Sequence, residues 1–257
     1  MFDKSMVVFL NKDAYEDRKG VGDPDDLQDV ALEGKWDYED LYAWASVYED
    51  LNNDTVADHE DFYAISAGYD SIPLDALPYA WDLDFVVQEA SGAHSYNIKG
   101  NDKIAEAVDM AKALFKGVNG SRVPNSEGVG NWDDTNFCTF GGYSEPISHF
   151  AAGNSIFAVH LLRATDEDNA IIHDMYDEYG LLPMPKFDEE QENYGTTADE
   201  SYTLVTVIDH SLSSERTKGD AISAYLQLSY EESYTYVREL YMHDVLNYER
   251  FEGTDTF

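Results

Sequence analysis

The sequence predicts an α/β fold, and three observations predict it. Met6-Val7-Val8-Phe9-Leu10 is a continuous apolar run stopped by Asn11-Lys12-Asp13, the pattern of a buried strand. Tyr202 to Ile208 alternates β-branched residues and reads as the strongest strand in the chain. Between them, Asn101 can cap a helix whose Ile104, Ala107, Val108, Ala111 and Leu114 share a face, ended by Gly117 and Gly120. Strands that alternate with helices place the chain in the α/β class.

The remaining elements follow in order. A polar Asp- and Gly-rich loop extends through Asp23-Pro24-Asp25-Asp26. Asp37 is a natural N-cap, with Asp40 three residues on, and Leu41, Trp44, Ala45 and Tyr48 then repeat at helical spacing. Phe62 to Ile65 and Phe85 to Val87 read as strands. Asn119 to Tyr143, rich in Gly, Asn and Ser, reads as an irregular loop. Pro146 to Ala152 reads as a short helix with Pro in its first turn, and Ser155 to Leu162 as a β-rich apolar run. Tyr179 to Pro185 is extended, because each proline forces its predecessor out of the α region. Lys218 to Tyr230 and Glu232 to Leu246 look helical.

At 257 residues, with 43% hydrophobic and 14% aromatic residues, the chain has the material for a sizeable core. Its charge is extreme: 16 Lys+Arg against 52 Asp+Glu give a formal net charge of -36. Such a surface repels phosphate backbones and anionic membranes, so no nucleic-acid partner is expected. It favours solubility, cation binding or life in high salt. The single cysteine, Cys138, lacks a basic neighbourhood and reads as a small buried hydrophobe. No apolar run spans a bilayer, and Met1-Phe2-Asp3-Lys4 does not begin a signal peptide.

The sharpest motif runs from Asp50 to Asp61. Asp50, Asn52, Asp54, Asp58 and Asp61 place oxygen side chains at positions one, three, five, nine and twelve of a twelve-residue loop, and Val56 offers a carbonyl at seven. That is the spacing that wraps hard oxygen ligands around Ca²⁺. Position six is Thr55 where the turn wants Gly, and Asp61 has a shorter arm than the usual Glu. A chain this acidic also matches carboxylate spacings by chance, so a solvated acidic turn stands beside the calcium reading. The histidines His59, His94, His149, His160, His173, His210 and His243 are dispersed, with no helix-borne zinc pair. No Walker, Gly-x-Ser-x-Gly or Rossmann glycine pattern occurs. Trp36 and Trp44 read as core. Tyr69, Tyr79, Trp81, Trp132, Tyr143 and Tyr194 lie in polar, loop-like stretches, where aromatic faces beside Asp, Asn and Thr can stack on sugar rings.

Three stretches together resemble the family-one extracellular solute-binding proteins of ABC importers, the carbohydrate-binding ones in particular. They are Val8 to Asp13 with Gly34 to Leu41, Phe150 to Phe157, and Tyr179 to Asp188 with Gln191-Glu192-Asn193-Tyr194 behind it. The resemblance implies a periplasmic-binding-protein-like type II fold of two lobes that close on ligand. It implies residues 1–10 as a strand crossing from the first lobe. Residues 11–186, with the Asp-rich loop 50–61, would be the second lobe, and residues 187–257 a return segment and helices of an incomplete first lobe. Ligand contacts are then expected at Tyr69, Asp70 and Ser71, at His160 and Arg163, and at Thr197, Asp199 and Tyr202. The calcium set Asp50, Asn52, Asp54, Val56, Asp58 and Asp61 would be structural, with no other cofactor required. The family further implies a monomer outside the membrane, anchored as a lipoprotein in the full-length protein, that serves permease subunits and catalyses nothing. Two other functions compete: a secreted glycoside-acting enzyme, which needs two carboxylates facing across a cleft, and a calcium-dependent adhesion or scaffold module.

Overall fold

Met6–Asn11 forms the central strand β1, and its residues are buried save Val7, which is half-buried. The computed structural model describes residues 4–19, 23–44, 47–55, 59–68, 72–114, 137–140, 144–165, 171–172, 175–197 and 216–241. After β1 come two helices, α1 (Lys12–Lys19) and α2 (Pro24–Leu32), where a polar loop was expected. The signal was present: Asp23 accepts from Asp25 N–H and Pro24 occupies the first turn, both helix-start features. With so few apolar residues on α1 and α2, periodicity carried little information there. The helix α3 (Tyr38–Tyr42) has the expected capping box between Asp37 and Asp40. It ends before Tyr48, which belongs to a strand, β2 (Tyr48–Glu49), and not to the predicted helix.

The chain continues through β3 (Phe62–Gly68), α4 (Ile72–Ala80), the hairpin β4 (Val86–Gln88) and β5 (His94–Tyr96), and α5 (Asp102–Leu114). Asn101 caps α5 through Ile104 N–H as predicted, although Val108 is 48% exposed and not on the buried stripe. Inside the stretch read as irregular lies β6 (Phe137–Phe140), which places Cys138 opposite Ser66. Then follow α6 (Glu145–Ala151), β7 (Ser155–Leu161), a 3-10 turn over Leu162–Thr165 and β8 (Tyr179–Leu182). The two helices predicted near the C-terminus are one: α7 (Arg216–Glu232) runs on through a π-type turn over Ser233–Val237. The predicted strand Tyr202 to Ile208 lies outside the described residues.

The main sheet has the order β2-β3-β7-β1-β8, with β6 also on β3. Strands β3, β6 and β7 are parallel, whereas β1 runs antiparallel between β7 and β8. Side chains alternate between faces. On one face Phe9 packs against Phe150 of α6, and Ser66 Oγ donates to the carbonyl of Pro146. On the other, Phe157 is flanked by Trp36 at 6.2 Å and Trp44 at 6.3 Å, the core role expected of both tryptophans. Trp81, expected in a polar loop, is 1% exposed and sits edge-on between Tyr38 and Phe187. Helices on both faces of a mixed sheet make this an α/β fold.

Two compact units divide the chain: Met1 with Asp3–Asp199, and Phe2 with Glu200–Phe257. Residues 187–197 belong to the first of these units. Phe187 is buried in its core, and Tyr194 packs against that core. In the second unit the described part is the helix from Arg216 to Tyr241, whose Tyr225, Tyr230, Tyr234 and Tyr236 are exposed. Among the described residues no helix is long and apolar enough to cross a membrane.

Candidate functional site

In open α/β sheets, ligands bind at the carboxyl ends of the parallel strands. Here that edge is made by the ends of β3, β6 and β7 together with the start of β1, since Met6 pairs with Leu161. Of the expected contacts, His160, Arg163 and Thr197 lie at or near it. Tyr69, Asp70 and Ser71 follow β3 directly but lie outside the described residues, as do Asp199 and Tyr202.

His160 lies within β7, opposite Val7, and not after the strand as expected. It is buried, on the α6 face, with Nδ1 3.4 Å from the carbonyl of Leu161. Arg163 follows in the 3-10 turn and is half-buried. Leu162 N–H donates to the carbonyl of Ser5 at 2.8 Å, which ties that turn to the start of β1.

Thr197 reaches the same place from far along the chain. Met6 N–H donates to the carbonyl of Thr197 at 3.2 Å, and Thr196 Oγ1 donates to the carbonyl of Met6 at 2.7 Å. Thr196 was missed by sequence reasoning. So were the residues that hold it in place.

Those residues form a strap over 183–197. Gln191 Nε2 donates to the carbonyls of Ala80 and Asn193, both at 2.7 Å, while its Oε1 accepts from Phe187 N–H at 3.0 Å. The Ala80 bond satisfies a carbonyl at the C-terminal end of α4 that has no partner within the helix. Lys186, 3% exposed, donates to the carbonyl of Gln191 at 2.9 Å and lies 5.8 Å from the Tyr194 ring. Tyr194 OH accepts from Trp36 N–H and donates to the carbonyl of Ala31, so a tyrosine read as a possible sugar platform is a structural clamp. Gly195 passes so close to α4 that a Cβ there would collide with the carbonyl oxygen of Tyr79. The sequence signal for this strap was the extended Tyr179 to Pro185 and the resemblance carried by Tyr179 to Asp188 with Gln191 to Tyr194, neither of which names its partners.

The Asp-rich loop sits elsewhere, on the connection from β2 to β3, not behind a helix as expected. Asp50 closes it by accepting from Asn53 N–H at 2.7 Å and Thr55 N–H at 2.9 Å. Asn52 accepts from Asp54 N–H and donates to Glu60. Asn53 has φ 60° and Thr55 φ 65°, so Thr55 adopts the left-handed conformation for which position six normally requires glycine. Asp61 is fully buried, with Oδ2 accepting from Tyr48 OH at 2.8 Å and Oδ1 from Leu51 N–H at 3.2 Å. Burial raises the Tyr48 phenol well above its ordinary value, with the Asp61 carboxylate adding to it.

The Asp61 carbonyl meets His149 Nε2 at 3.0 Å, which places the proton of the neutral ring on Nε2. Burial lowers His149 to about 4, partly opposed by that bond. Asp50, Asn52 and Asp54 are the hard oxygen donors suited to Ca²⁺. Val56 and Asp58 lie outside the described residues, and among the described ones no three His, Cys, Asp or Glu side chains group closely enough for a metal.

No protein-family model matches the chain, and no curated protein matches it.

Proposed function

We propose that this protein is the substrate-binding component of an ABC importer, holding a sugar or oligosaccharide and passing it to permease subunits without catalysis. The first unit is then one lobe of a type II, periplasmic-binding-protein-like fold, and the protein works as a monomer outside the membrane on a lipid anchor. One observation carries the reading: His160 near the end of β7, Arg163 just after it, and Thr197 on the strap gather with Met6 at the carboxyl edge of the sheet. That is where the α/β rule puts a ligand, and the family resemblance points to the same residues. The resemblance adds Tyr69, Asp70, Ser71, Asp199 and Tyr202 to the expected ligand contacts.

The Asp-rich loop is the structural calcium site of the proposal. Asp50, Asn52 and Asp54 supply side-chain oxygens, Val56 a carbonyl, and Asp58 and Asp61 the remainder. Thr55 already holds the left-handed turn at position six, which supports the assignment.

A thermal-shift screen of mono- and oligosaccharides, run with calcium and with chelator, tests the whole. Ligand that binds the native state raises Tm by mass action, by the equivalent of about 2.7 kcal/mol at a hundredfold excess over Kd. A saccharide-specific rise without product formation is the expected result. Product release would turn the reading toward a glycoside-acting enzyme, and no rise with any sugar would sink the carbohydrate assignment.

A further inference from the structure

We propose that Asn53 is an acceptor site for an N-linked glycan. Asn53-Asp54-Thr55 has the Asn-X-Thr form with X other than proline, the tripeptide recognised by oligosaccharide transfer to the asparagine carboxamide. All three residues are exposed at the apex of the β2–β3 connection.

The backbone there is held while the side chains are left available. Asn53 and Thr55 give their amide N–H groups to the two oxygens of Asp50. Neither the Asn53 carboxamide nor the Thr55 hydroxyl makes a hydrogen bond among the described residues. Asn11, Asn52 and Asn97 differ on both counts. Asn11 uses its carboxamide twice, with Asp177 and Ala14, Asn52 uses both ends of its own, and Asn97 donates to the carbonyl of Asp84. None of these has Ser or Thr two residues on. A second Asn-X-Ser, at Asn119-Gly120-Ser121, lies outside the described residues.

The loop's two roles do not collide. Asn53 and Thr55 are not among the positions assigned to calcium, and Asp50 and Asp61 fix the loop's base whether or not its apex carries a sugar. The donor is a lipid-linked oligosaccharide. In the transfer, a bond forms between Asn53 Nδ2 and the anomeric carbon as the anomeric carbon–oxygen bond to the lipid phosphate breaks. The lipid phosphate leaves with the bonding pair, and one Nδ2 proton passes to a base of the transferase. Asp54 puts a carboxylate beside the acceptor and slows approach of this anionic donor. The inference rests on the protein being exported, since lipid-linked donors are used across the membrane.

The test incubates the folded chain with a single-subunit oligosaccharyltransferase that accepts Asn-X-Thr and a lipid-linked oligosaccharide, followed by intact-mass and glycopeptide mapping. The expected result is one glycan on Asn53, lost in Asn53→Gln and in Thr55→Val, and attached faster in Asp54→Asn. Circular dichroism of the variants confirms that they fold. An Asn53 left bare in the folded chain overturns the proposal, as does a glycan that stays at full stoichiometry in Asn53→Gln. The excised peptide 48–61, run alongside, tells whether the fold or the tripeptide is responsible. Neither result alters the sugar-induced thermal shift, so the two readings fail separately.

Discussion

The strap over 183–197 and the Asp-rich loop over 50–61 are both irregular, polar segments, yet they are held in opposite ways. Beside short internal bonds, the strap is anchored across the chain: Gln191 to Ala80 spans 111 residues, Trp36 to Tyr194 spans 158, and Met6 to Thr196 spans 190. The loop's bonds close on itself, over 3 residues from Asp50 to Asn53, 5 to Thr55 and 8 from Asn52 to Glu60. A segment held by distant partners takes its shape only when the whole unit has folded. One held by near neighbours can keep its shape alone. The strap should therefore share the unit's global stability, and the loop should open at low cost.

The harshest test of this contrast is Gly195→Ala. Its Cβ would meet the backbone of α4, which cannot step aside cheaply, so a loss of about 3 kcal/mol or more is expected in chemical denaturation. Wild-type stability in the Gly195→Ala variant would mean that the strap is not bound to α4.

Next comes a place where the loop does touch the core, the Asp61 carbonyl on His149. His149 is lowered from 6.5 to about 4 in the folded protein. Between those values the unfolded chain binds the proton and the native one does not. Stability from this residue is complete above pH 6.5 and falls as pH drops toward 4, by up to roughly 3 kcal/mol. Comparing pH–stability curves of wild type and His149→Gln isolates this slope from the many carboxylates, and parallel curves would refute it.

Gln191→Ala should cost about 2 kcal/mol by leaving the groups it bonds without partners. Amide exchange at Met6, bonded to Thr197, should accelerate with it, while exchange in the Asn53–Thr55 turn stays unchanged. Thr55→Gly should do the reverse, stabilising by ~0.5 kcal/mol or more as the left-handed strain at φ 65° is relieved. A loss of stability in the Thr55→Gly variant would show the turn to depend on the threonine side chain.

The same contrast explains what could be read in the sequence. Locally encoded features were legible: the Asp37–Asp40 capping box, the Asn101 cap, the runs that became β1, β3 and β7, and the left-handed demand on Thr55. Features encoded over distance were not. Nothing near Gln191 announces that its partner is the end of α4, and Trp81 looked exposed because Tyr38 and Phe187, which enclose it, are remote in sequence. The candidate edge was partly legible. His160 and Arg163 could be placed beside Thr197 by resemblance, but that Thr196 fastens the strap to Met6 depends on a pairing across the whole unit. The α1–α2 pair failed for another reason. Their many acidic residues mask a buried stripe that amounts to Ala14, Tyr15, Leu27 and Ala31.

Lys4, Lys12 and Lys186 are all buried, in a chain with few cations to begin with. Amine-directed chemistry is therefore channelled to exposed residues such as Lys35, Lys99 and Lys112. Coupling the protein to a sensor surface through its lysines gives attachment on the faces that carry α5 and the turn after α2.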